Sequence, residues 1–129
     1  MAIKQILASF AVNDLSQAQD FYEQTLGLRV DVEGEGVIRH LILHAPDGGK
    51  VEVYPKPDFT PAGFTVMNIF VDDIDETADN FAAKGVTFER YEGFEHDEKG
   101  IVRSDDPANG PTIAWLKDPA GNVFAILEV

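Results

Sequence analysis

Three residues between positions 40 and 54 carry the chemistry that can be read from this chain: His40, Glu52 and Tyr54. Glu52 lies between Val51 and Val53. Neighbours in a strand point to opposite faces, so if the valines face a packed layer, Glu52 and Tyr54 project from the other side. A carboxylate placed there serves as a general base or pairs with a cationic ligand. The turn at Pro46 to Gly49 makes a hairpin in which Leu43 pairs with Val51, Ile42 faces Glu52 and His40 faces Tyr54. His40 and Glu52 are then diagonal neighbours about 7–8 Å apart. The trio suits an oxygen-bearing ligand or proton transfer, with Glu52 as base and His40 or Tyr54 assisting. The same residues are equally compatible with a carboxylate held by a neighbouring strand and a partly exposed histidine. Phe70 and Trp115 are strand aromatics which, with Tyr54, either fill core or stack a planar or cationic ligand. Asn68 shares the side of Phe70 and offers a donor and an acceptor.

The remaining candidates read more plainly. His44 is two strand steps from His40, too far to share a metal, and is expected to be a solvent-facing turn residue. His96 sits among Glu95, Asp97 and Glu98 and is expected in a surface charge cluster. Lys99 and Arg103, on the same long loop, either clamp an anion or are solvated. No cysteine is present, so disulfides, thiolate metal sites and Cys nucleophiles are excluded. The glycines do not have phosphate-loop spacing, no G-x-S-x-G element occurs, and Ser9, Ser16 and Ser104 lie in no recognisable nucleophile setting.

The elements that position these residues repeat. The segments VNDLSQAQDFYEQTLGLRV and VDDIDETADNFAAKGVTF, beginning at Val12 and Val71, both open V-x-D-[LI], continue as an amphipathic helix and stop at Gly27 or Gly85. LHAPDGGKVEVY and WLKDPAGNVFAILEV, beginning at Leu43 and Trp115, both place a Pro/Gly/Asp turn between two apolar strands. The first module is expected as a strand over residues 2–12, a helix over 16–26 with a Ser16/Gln19 capping box, and strands over 28–32, 37–44 and from 51. The second is expected as a strand over 64–71, a helix capped by Asp75, and strands over 86–91, 112–117 and 122–129. The long acidic loop 92–110 around Ile101 and Val102 is expected to be a lid or a disordered excursion. The fold class is therefore α+β, with two βαβββ modules (1–56 and 64–129) joined by a Pro-rich linker (57–63) in one domain of 129 residues.

Ten basic against 23 acidic residues give a formal net charge of −13, which repels nucleic acid and anionic membrane surfaces and favours cationic partners. The first residues, MAIKQILASFAV, are too short and interrupted for a membrane span and lack a leader's cleavage pattern, so a cytoplasmic location is expected.

The βαβββ repeat, with DLSQAQDFYEQTLGL and WLKDPAGNVFAILEV, resembles the vicinal oxygen chelate superfamily, which includes glyoxalase I, extradiol dioxygenases, fosfomycin-resistance enzymes and bleomycin-resistance proteins. The resemblance covers nearly the whole chain. It implies a mixed sheet curled into an incomplete barrel around a cavity, helices outside, commonly within a homodimer. Metal-dependent members hold a divalent ion with His, Gln or Glu at four strand positions, which correspond here to Leu7, Glu52, Val66 and Ala125. Three of these cannot ligate a metal, and one carboxylate cannot supply the three or four O or N ligands such an ion needs. The resemblance thus implies no metal and no cofactor at the usual place, and an organic small molecule, cationic or aromatic, lined by Leu7, Glu52, Tyr54, Val66, Asn68, Phe70, Trp115 and Ala125. The rival readings are a lyase or isomerase using Glu52 as base, metal-free or with an unrecognised metal site, and a structural dimer module.

Overall fold

The computed structural model describes residues 1–128. The backbone forms two compact units, Met1–Pro61 and a second beginning at Ala62. Each contains one α-helix and a four-stranded mixed sheet, the architecture expected from the repeat.

The first unit runs β1 (Ala8–Val12), α1 (Leu15–Asp20), β2 (Arg29–Glu33), β3 (His40–His44) and β4 (Lys50–Pro55), in sheet order β1-β4-β3-β2. Strand β1 is parallel to β4, while β3 is antiparallel to β2 and β4. Residues 2–7, expected to belong to the first strand, are exposed and precede it. The helix begins one residue before the expected Ser16, because Asp14 is the N-cap: its carboxylate accepts from the Gln17 amide at 3.0 Å. After Asp20 the helix widens into a π-helical segment over Phe21–Thr25, and the chain leaves it at Gly27 with φ of 71°. Residues 36–38 form a 3-10 turn and not the expected start of β3. Alternation then divides the sheet. Phe10, Val12, Leu41, Leu43 and Val53 are buried on the face that packs against Ala18 and Tyr22, with the Phe10 and Tyr22 rings edge-on at 6.0 Å. The opposite face is the polar one.

The second unit repeats the plan as β5 (Thr65–Phe70), α2 (Ile74–Ala83), β6 (Phe88–Glu89), β7 (Thr112–Lys117) and β8 (Val123–Glu128), in sheet order β5-β8-β7-β6. Asp73, and not Asp75, caps α2 by accepting from the Glu76 amide at 3.0 Å. The shared V-x-D-[LI] motif is therefore a capping motif: its Asp takes the orphan amide and the following apolar residue opens the helix. Ile74, Ala78 and Phe81 are buried, as are Ala114, Leu116, Phe124 and Ile126 of the sheet. The D-P-x-G-N turn also has a local cause. Asp118 Oδ1 accepts from the Asn122 amide at 2.9 Å, Asn122 Nδ2 donates to Asp118 Oδ2 at 3.2 Å, and Gly121 supplies a φ of 95°. Both polar side chains are buried, and their mutual hydrogen bonds offset the desolvation.

The acidic loop departs from expectation. It is tied back onto its own unit: Val102 bridges both His96 and Ile113, and Ile101 is fully buried. His96 is not in a solvated charge cluster. Its Nε2 accepts from the Tyr91 amide at 3.0 Å, its Nδ1 donates to the Gly100 carbonyl at 2.7 Å, and its ring packs against Phe94 and Trp115. Lys99 and Arg103 are likewise engaged internally. Arg103 grips Asp75 of α2 with two bonds of 2.8 and 2.6 Å and also reaches Asp97, while Lys99 spans Asp75 and Asp79. The Arg103 guanidinium holds the Asp75 carboxyl well below the usual carboxylate range, burial opposing and Lys99 adding to the effect. A depressed carboxylate contributes stability that is present above its unfolded-state pKa and lost as pH falls through the folded one. The loop tether should therefore weaken progressively below about pH 4. Arg103→Met is expected to flatten the acid limb of a melting-temperature profile. An unchanged limb would show that the tether does not contribute.

Candidate functional site

The polar face of the first sheet is set by register. Ser9, Glu52, Ile42 and Asp31 form one row across β1, β4, β3 and β2, and Glu33 pairs with His40 in another. Ile42 faces Glu52 as the hairpin spacing requires, pairs with Asp31 on its other side, and is buried. The side chains of His40 and Glu52 lean together, with His40 Nε2 3.8 Å from Glu52 Oε2 and 3.7 Å from Glu33 Oε1. His40 Nδ1 lies 2.7 Å from the Ile38 carbonyl, which can only accept, so this nitrogen carries a hydrogen. Ser9 donates its hydroxyl to Glu52 Oε1 at 2.8 Å, leaving Oε2 directed at the histidine.

These groups line a cavity of about 300 Å³ walled by Val37, Ile38, Arg39, His40, Glu52, Tyr54 and Pro55. His40, Glu52 and Tyr54 are thus brought together. Leu7, immediately before β1, is exposed and does not line this cavity. Val66, Asn68, Phe70, Trp115 and Ala125 belong to the second unit. There Asn68, Ala125 and Trp115 form one row of the sheet, and Phe70 lies opposite Leu127 in another. Val66 lies within an irregularity in the β5–β8 register. Trp115 packs against Tyr91 at 5.5 Å and Phe94 at 5.2 Å, so its own loop occupies part of its surface. Phe70 opens a separate cavity of about 540 Å³ with Pro107, Pro111, Thr112, Leu127 and Glu128.

Two further residues join the first site, Glu33 and Ser9. The alternation R-V-D-V-E marks Glu33 as sharing a face with Asp31, but its pairing with His40 depends on the turn before β3. Ser9 meets Glu52 only through parallel pairing of strands 43 residues apart, which no local pattern encodes. His44 is also not the solvent-facing residue expected. It hydrogen-bonds Asp31 Oδ2 at 2.8 Å, and that bond, against a smaller opposing effect of burial and with help from Arg29, lowers the Asp31 pKa.

The donor set at Leu7, Glu52, Val66 and Ala125 does not fit a divalent ion, since Leu7, Val66 and Ala125 have no ligating side-chain atom. Among the described residues, no group of three or more His, Asp or Glu side chains is arranged to hold a metal.

A family model described as Glyoxalase/Bleomycin resistance protein/Dioxygenase superfamily matches residues 3–126. The chain belongs to this superfamily. No curated protein matches it. Among solved structures, it is similar to TnmS3, an antibiotic binding protein from Streptomyces sp. CB03234, with 23% identity, 99% and 98% of the two chains covered, and a TM-score of 0.72. A member of the same superfamily from Sphaerobacter thermophilus is 24% identical, with 98% of each chain covered and a TM-score of 0.69. Lactoylglutathione lyase from Agrobacterium tumefaciens is 18% identical, with 97% and 92% covered and a TM-score of 0.68. At these identities the likeness is one of fold, and this superfamily fold carries both binding proteins and lyases. Among the described residues no helix is long and apolar enough to cross a membrane.

Proposed function

We propose that this superfamily member binds an organic small molecule carrying a positive charge, without the usual divalent metal, and that Glu52, His40 and Tyr54 form the polar end of its site. The carrying observation is the convergence of two carboxylates and one imidazole beside a cavity with aliphatic and aromatic side chains in its wall. The aliphatic residues at three of the four metal positions support a metal-free site, and the net charge of −13 supports a cationic ligand. The fold shared with an antibiotic binding protein makes a drug-like ligand the first class to test. A homodimer in the cytoplasm is the expected working form. Calorimetric titration with a panel of cationic aromatic compounds should give saturable heats and raise the melting temperature with concentration. No heat and no shift across the panel would remove this reading.

A second reading, a lyase or isomerase using Glu52 as base, is favoured by one observation. Ser9 holds Oε1, while Oε2 approaches His40 only to 3.8 Å, so one carboxylate oxygen is positioned to accept a proton from a ligand.

A further inference from the structure

We infer that the site selects primary ammonium groups over quaternary ones, an inference that rests on the organic-cation reading above and names the ligand class. His40 Nδ1 donates to the Ile38 carbonyl, so in the neutral ring Nε2 is an acceptor. That acceptor lies 3.7 Å from one oxygen of Glu33 and 3.8 Å from one of Glu52, separations too long for direct hydrogen bonds. Two carboxylate oxygens therefore flank one imidazole nitrogen, each within 4 Å of it. A primary ammonium carries three N–H donors to share among these acceptors, whereas a trimethylammonium has none and is wider.

The surroundings favour the same choice. Quaternary cations are recognised by several Trp, Tyr or Phe faces around the charge, and among the described residues Tyr54 alone supplies such a face in the wall of this cavity. The Ser9 hydroxyl occupies Glu52 Oε1, which fixes the other oxygen toward His40. Beside the polar end stand Val37 and Ile38, 97% and 68% exposed, unusual for aliphatic side chains in a cavity wall and suited to the hydrocarbon body of a ligand. At about 300 Å³ the cavity suits a single ring with a short arm.

The test is a matched pair, phenethylamine and its N,N,N-trimethyl analogue, titrated calorimetrically in the same buffer. The primary amine should bind at least about tenfold more tightly, the factor that goes with losing one charge-assisted hydrogen bond. Glu33→Gln, at an exposed strand end where folding is not at stake, should weaken the primary amine and shrink the ratio. Equal affinities would overturn the selectivity while leaving the organic-cation reading intact. Binding by other cations of the panel, with the primary amine silent, would overturn it as well. Silence from every cation removes both readings together.

Discussion

Glu52→Gln should lower the affinity for a cationic ligand by about tenfold, the change expected when one charge-assisted hydrogen bond of about 1.5–3 kcal/mol becomes a neutral one of about 0.5–1.5 kcal/mol. The substitution keeps size and keeps an oxygen that accepts from Ser9, whose bond to Glu52 lies at 2.8 Å on an exposed face. Melting temperature should therefore barely move, which separates a binding effect from a folding one. Calorimetry on a ligand taken from the cationic panel reads the difference. Unchanged affinity would locate the cation elsewhere, with the cavity beside Phe70 and Glu128 the next place to look. The same variant distinguishes binder from enzyme. If a compound is turned over, the amide still binds the ligand weakly but no longer accepts its proton, so kcat should fall by roughly the 10²-fold or more that general bases contribute. Turnover that survives would remove Glu52 as the base.

Ile101→Ala should destabilise the second unit by about 2–5 kcal/mol, the cost of truncating a large aliphatic side chain in a packed site. Ile101 is fully buried although it lies in a loop of Glu, Asp and Gly, and the Asp97 carboxylate accepts from its amide at 2.9 Å. It is the peg that converts an acidic excursion into a structured part of the unit. The single tryptophan reports on it directly, since Trp115 packs against Phe94 and His96 of that loop. Chemical denaturation with tryptophan emission should show the loss, and the native emission should move toward that of a more solvated indole. Ile101→Val should cost only about 0.5–1.5 kcal/mol. A loss below about 1 kcal/mol for the alanine variant, less than any packed site of this kind gives up, would mean that the salt bridges of Arg103 and Lys99 hold the loop without the peg.

The loop shows where sequence reasoning runs short. Its composition signals solvent: six acidic residues between Glu92 and Gly110 with one apolar pair. What the pattern cannot express is that Arg103 meets Asp75 across 28 positions, or that His96 uses both ring nitrogens on the backbone of its own loop. The helix starts differ from expectation for a smaller reason. Asp14 and Asp73 compete with Ser16 and Asp75 as caps, and the winner is whichever side chain the preceding strand aims at the first free amides. Val37 and Ile38 alternate with the residues after them well enough to read as strand, but the turn at Gly34 and Gly36, both at positive φ, coils residues 36–38 instead.

Local periodicity and turn chemistry are legible in the chain alone, and they reach a long way. The repeated V-x-D-[LI] motif, the Pro/Gly/Asp turn in each half, the glycine stops and the alternation of Leu41, Ile42, Val51 and Glu52 prescribe two βαβββ units and place Ile42 opposite Glu52. The resemblance to the superfamily adds that three of its four metal positions are aliphatic here. Which polar groups share the face is a matter of long-range pairing. Glu33 reaches His40 through a neighbouring antiparallel strand, and Ser9 reaches Glu52 through a parallel one. Parallel pairing needs a crossover, and its register is fixed by how the intervening helix buries Ala18 and Tyr22 against the sheet, an outcome of packing over the whole unit that no short window of residues contains.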